Sequence, residues 1–224
     1  MERNKIPVDW EVASIQNWWK SHLNHIHSHH QNEDEKMNPY LRERILYPEK
    51  LEADHIILTS HLYTIAGLVD NLSVSGTSLE KLYSAWHSYQ SMMKLHLLEE
   101  EHFGIPLMRA YFKPKEIAKI VADIMGSTHA PKEEMGAFIY FLGEKKFREE
   151  FMKQEGIPFF VWWTDFKEKF NYYKTDVIVH IEALENGVAP EPLLQKSSNI
   201  SPTLSIAILA GLVGVYFIIK NRTL

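Results

Sequence analysis

The sequence contains no cysteine. That excludes disulfides, thiolate metal sites and a cysteine nucleophile, and it leans only weakly toward a reducing compartment. Positive charge is not in excess either. The formal net charge is -5 over 224 residues, and no basic patch with interleaved aromatics occurs, which argues against a nucleic-acid partner. Strand-like alternation is scarce. Glycine and proline number ten each and sit mostly between periodic stretches, so helical periodicity runs nearly throughout and predicts an all-α protein. The N-terminus shows no apolar run of the secretory kind. There is no phosphate-cradling glycine loop, no Gly-x-Ser-x-Gly elbow and no His-Glu-x-x-His zinc helix. A chain of this length can bury one sizeable core or, at most, two small ones.

What is abundant is histidine, with twelve copies, and one pattern is written twice. His29-x3-Glu33-Asp34 is followed by Pro39, Leu41 and Arg42; His96-x3-Glu100-Glu101 is followed by Pro106, Met108 and Arg109, in the same register and 67 positions on. A His and a Glu four apart share one face of a helix. Two such faces brought together supply two imidazoles and two carboxylates, the raw material of a two-metal site. A single His-x3-Glu is usually a solvated pair, and it is the matched duplication that singles these residues out. On the first helix His22, His25, His29 and Glu33 are expected on one stripe, with His27 and His30 pointing elsewhere. On the second motif helix His96 and Glu100 share a stripe with Tyr89 and Phe103. His55, between the motifs, lies in a helix that must run antiparallel to both. Nitrogen and oxygen donors without thiolate suit Fe, Mn or Zn, and divalent iron or manganese over copper(I). Asp34 and Glu101 are expected either as further ligands or as acceptors that orient a histidine.

Punctuation sets the element boundaries. Trp10 to about Asn38 reads as one long helix stopped by Pro39, and Pro48 opens a second that runs to about Asn71. Thr77-x-x-Glu80 is a capping box that opens a third, ending near Phe112. Shorter helices start at Pro114 and Pro131. Gly156-Ile157-Pro158 precedes a last aromatic helix, and Gly187 ends the folded region. Trp18, Trp19, Phe159, Phe160, Trp162 and Trp163 are expected in the core. From Ser197 to Ile219 there is no charge, and Thr203–Ile219 is almost wholly apolar. As a helix that stretch would span about 25 Å, near the lower limit for a bilayer. Its Pro/Ser-rich spacer and the following Lys220 and Arg222 favour a single-pass membrane anchor over a core helix. The expected organisation is a bundle over 1–112, a helical extension over 113–187, a linker over 188–202 and an anchor over 203–219. The bulk domain would be cytosolic, at an organelle outer membrane or the endoplasmic reticulum.

The two motifs, with Leu51-x-x-Asp54-His55 between them, resemble hemerythrin-like (HHE cation-binding) domains over roughly residues 10–112. The region Gly156-Ile157-Pro158-Phe159-Phe160 is similar to a helical extension of some eukaryotic members. The resemblance implies an up-and-down helical bundle holding a non-haem di-iron centre that binds oxygen or another small ligand. His29, His55 and His96 would be terminal ligands, and Glu33 and Glu100 would bridge the irons. The family's oxygen carriers have a His-x3-His pair on the third helix; Thr59 stands in the second place here, which brings the chain closer to variants with one His there. The family's first helix also contributes a His. Carrying the His55-to-His96 offset back from His29 lands before Met1, so this bundle is expected to lack that helix. A truncated start is the expected reason; another element filling the gap, or a lost two-metal site, are the alternatives. The function implied is a membrane-anchored iron protein that binds or senses oxygen or iron. A di-iron oxidase and a helical adaptor with a vestigial site are the competing readings.

Overall fold

A computed structural model describes residues 7–72, 79–127 and 131–190, and among them every regular element is helical. Helix α1 (Asp9–Asn32) opens with the Glu11 carboxylate accepting the Val8 N–H at 2.9 Å. Its buried row is Ile15, Trp19, Ile26 and His30, continued by Glu33. Residues Glu33–Met37 form a π-helical turn, in which the Asn38 N–H reaches back to the Glu33 carbonyl, and the path continues as α2 (Asn38–Arg42). The first helical run therefore does not stop at Pro39. Proline has no N–H to place in the ladder, and here it sits where the widened turn passes into α2.

Helix α3 (Glu49–Asp70) begins directly after Pro48 and buries Leu51, His55, Leu58, Leu62, Ile65 and Val69, each three or four residues from the last. Helix α4 (Leu79–Tyr111) has 33 residues and runs through Pro106 without a break. Thr77 of the expected capping box lies outside the described residues. Two apolar layers form between α1, α3 and α4. One contains Ile15, Trp19, Ile26, Leu58, Leu62, Tyr89 and Met93. The other contains Met37, Leu41, Leu51, Ile105 and Met108, extended by Ile117 and Ile124. Leu41 and Met108, the downstream matches of the duplicated motif, thus serve packing. His30, Glu33, His55, His96 and Glu100 form a polar layer between these two apolar ones, with α3 antiparallel to α1 and α4.

The chain continues through α5 (Pro114–Ser127), α6 (Pro131–Phe141) and α7 (Lys145–Gln154). A last helical path then runs from a π turn (Trp162–Phe166) through α8 (Lys167–Tyr172) and a second π turn (Tyr173–Ile178) into α9 (Val179–Asn186). It ends at Gly187, whose φ of 65° lies in the left-handed region that glycine adopts without penalty. Besides α3, α1 packs against α6 and α9. Ser21 Oγ lies 3.0 Å from the Tyr172 hydroxyl, His180 Nδ1 lies 3.3 Å from Ser14 Oγ, and Leu184 packs on the first apolar layer. Later parts of the chain thus cover α1.

Three of the aromatic residues expected in the core are at the surface: Phe159 is 79% exposed, Phe160 54% and Trp163 63%. The inward row is Trp162, Phe166 and Phe170, so Trp163 falls on another face, while Phe159 and Phe160 sit in the preceding turn. No helix among the described residues is long and apolar enough to cross a membrane, and the expected anchor over 203–219 lies outside the described residues.

Candidate metal centre

Three rows of core side chains arrive at the polar layer, one from each of α1, α3 and α4. Glu33, His55, His96 and Glu100 are buried, and one ligand-capable atom of each lies within 4.8 Å of the others. His55 Nε2 is 3.2 Å from His96 Nε2 and 3.4 Å from Glu33 Oε2. His96 Nε2 is 3.1 Å from Glu100 Oε1. His29, the fifth residue singled out by the sequence, lies at the rim of this group, with Nε2 3.5 Å from Glu33 Oε2 and its side chain 14% exposed.

Carboxylates stand behind both central histidines. Asp34 Oδ1 lies 2.7 Å from His55 Nδ1. A carboxylate can only accept, so this contact places a proton on Nδ1 and turns the Nε2 lone pair of neutral His55 inward. Asp54 Oδ2 lies 3.8 Å from His96 Nδ1 and is held by Lys50 Nζ at 2.7 Å. Asp34 thus stands as an orienting acceptor, whereas Glu101 is exposed and Asp54 stands near His96 Nδ1 beyond hydrogen-bond distance.

His30 is the residue that the stripe argument missed. It is buried at 4% exposure, its ring stacks on His55 with centroids 4.2 Å apart, and one of its nitrogens lies within 4.8 Å of ligand-capable atoms of His55 and His96. Neither of its nitrogens has a hydrogen-bond partner among the described residues, and neither has Glu33 Oε2. The inward face of α1 is set by Ile15, Trp19 and Ile26, and His30 follows Ile26 by four residues. Aligning the stripe on these apolar residues instead of on the histidines finds it. His22 is used elsewhere: its Nε2 pairs with the Tyr89 hydroxyl at 3.0 Å and its ring stacks on Trp18. Phe103, expected on the stripe of His96, is exposed.

Burial dominates the electrostatics. It raises the Glu33 carboxyl well above its ordinary value, helped by the neighbouring Glu100. Burial acts in the same direction on Glu100, but the adjacent His55 and His96 imidazoles outweigh it and hold that carboxyl low. The pair therefore favours one protonated and one ionised carboxyl. Burial lowers His29 to about 4 and lowers His30 well below its ordinary value, with the other imidazoles adding to the effect on His30. Neutral imidazoles are the metal-binding form.

The donor set fits a cation. Nitrogens 3.2 Å apart would subtend roughly 100° at an ion about 2.1 Å from each, between tetrahedral and octahedral angles. With only nitrogen and oxygen donors, the cluster suits divalent Fe, Mn or Zn. Tyr47 is buried nearby, its hydroxyl pushed up by burial and then by Glu100 and Glu33. It also lines an open pocket of about 650 Å³ together with Arg42 and Glu52. Comparison with protein-family models, with curated proteins and with solved structures finds no match for the chain.

Proposed function

We infer that the protein is a non-haem iron protein whose polar layer holds a pair of irons, as in the hemerythrin-like domains its motifs resemble, and that it binds or senses oxygen or iron. The observation that carries this reading is the convergence of the His55 and His96 Nε2 atoms, 3.2 Å apart, beside the buried carboxylates of Glu33 and Glu100. A buried polar atom without a partner costs about 1–3 kcal/mol. Glu33 Oε2 and both His30 nitrogens are in that condition among the described residues, and a bound cation supplies what they lack. When bound, iron would supply the site for oxygen or another small ligand. The chain's own residues orient the imidazoles and keep the layer between two apolar ones. The apolar stretch Thr203–Ile219 supports a membrane anchor, with the helical domain on the cytosolic side of an organelle outer membrane or the endoplasmic reticulum.

A di-iron oxidase is the second reading. The pocket that Tyr47 lines favours it, because it offers room for a substrate and Tyr47 itself feels the charges of Glu100 and Glu33.

The test is iron content and optical absorption of the full chain in detergent, loaded anaerobically with ferrous iron and then exposed to air. About two irons per chain, with charge-transfer bands that vanish in Glu33→Ala and Glu100→Ala, are expected. One iron or none overturns the di-iron reading, and turnover of an added reductant with oxygen moves it to the oxidase.

A further inference from the structure

The repeat and the structure disagree about His30, and the disagreement is informative. The position that matches His30 in the second motif is Leu97, a core residue. The duplicated pattern therefore gives no reason for an imidazole there, yet one stands in the polar layer with both nitrogens buried and without a hydrogen-bond partner among the described residues. A leucine at the same place would avoid that cost.

The arrangement of the rings says which ion His30 could reach. An imidazole lone pair lies in the plane of its ring, so a bound metal must lie close to that plane. The His30 and His55 rings are 10° from parallel with centroids 4.2 Å apart. At that distance they lie one over the other, and no single ion can sit in both planes. Two ions can, one in each plane, at a separation close to the ring spacing. Paired metal sites have their ions about 3.5–4 Å apart. His55 and His96, in contrast, meet edge to face at 74° with their Nε2 atoms 3.2 Å apart, a geometry that serves one ion.

Resting on the metal-binding reading above, we propose that His30 is a ligand of a second ion, distinct from the one held by His55 and His96. His29 completes the nitrogen donors of that second ion, because its Nε2 lies 3.5 Å from Glu33 Oε2 and its ring adjoins that of His30. Glu33 Oε2 lies 3.5 Å from His29 Nε2 and 3.4 Å from His55 Nε2, so this carboxylate stands between the two pairs of imidazoles. The first motif then supplies two adjacent histidines to the second ion.

The full chain, freed of metal, is titrated with cobalt(II), reading the stoichiometry and the visible ligand-field absorption. Two ions per chain are expected for the wild type. His30→Phe keeps a ring over His55 but has no ring nitrogen, and it should bind the second ion at least about tenfold more weakly while leaving the first unchanged. His30→Leu gives the same readout should the larger ring perturb folding, and far-ultraviolet circular dichroism of the metal-free chains checks that both fold. Two ions bound at unchanged affinity in both variants would mean that His30 only stacks, and the proposal falls. A wild type that takes a single ion overturns the two-ion assignment but leaves metal binding intact. One that takes none overturns both.

Discussion

Asp34 and His55 are joined by a 2.7 Å contact between Oδ1 and Nδ1, which ties the π turn after α1 to the start of α3. The Asp34 side chain is 45% exposed while that of His55 is 4% exposed, so the contact fixes the ring from the solvent side without adding to the core. Asp34→Ala should weaken metal binding by about 10–100-fold and leave the unfolding temperature of the metal-free chain nearly unchanged. A competition titration with a chromophoric chelator reads the first and a thermal melt the second. Unchanged affinity would show that packing alone holds the ring.

The metal-free chain should lose stability on mild acidification. Burial lowers His22 to about 4 and His25 to about 3, against about 6.5 in an unfolded chain. Between about pH 6.5 and 4 the unfolded state then binds more protons than the folded one, so stability rises with pH across this window and is lost as pH falls through it. Each histidine contributes up to about 1.4 kcal/mol per pH unit. The raised Glu33 and His55 act in the opposite sense. Urea midpoints at pH 7.5 and pH 5 measure the difference, and His22→Gln should reduce it. Equal midpoints at the two pH values would mean that these rings are more hydrated than their packing implies.

At Gly136, α6 approaches the last helical path closely. A Cβ there would lie 2.6 Å from the Lys169 carbonyl oxygen and 3.0 Å from Tyr173 Cβ. Gly136→Ala should therefore destabilise the chain by about 1–3 kcal/mol, although alanine is the better helix former. Chemical denaturation gives the value; a gain in stability would place the two helices further apart.

The aromatic residues after Gly156 divide by face. Phe166→Ala removes a core side chain and should cost about 3–5 kcal/mol. Trp163→Ser, at a 63% exposed position, should change stability by no more than about 0.5 kcal/mol. Comparable losses from the two would show that Trp163 is covered in the folded chain.

Much of this was legible in the sequence. Pro48, Pro114 and Pro131 mark helix starts, and Gly187 marks a helix end, because each restricts or frees the backbone in a way that few other residues do. The duplicated spacing identified His96, Glu100 and Glu33, and the register of His55 in α3 follows from its place among Leu51, Leu58 and Leu62. Pro39 misled because a π turn reroutes the hydrogen bonds ahead of it, and nothing in local propensity announces that turn. His30 is hidden from a stripe drawn through the polar residues, because the inward direction of α1 is set by Ile15, Trp19 and Ile26. Trp163 shows the same limit: an aromatic side chain signals burial only once the face of its helix is known. The cover that α6 and α9 give to α1 joins residues more than a hundred positions apart, a pairing that no local pattern encodes.

The last helix sets a direction for the whole molecule. Leu184, two residues before α9 ends, packs beside Ile15, Val69 and Leu79, whereas His30 lies fifteen positions further along α1, about 22 Å away. The chain therefore leaves the described fold near the start of α1, remote from its histidine layer. Anything that holds residues beyond 190 holds the protein near the start of α1 and leaves the half of the bundle that carries the histidine layer turned away from whatever does the holding.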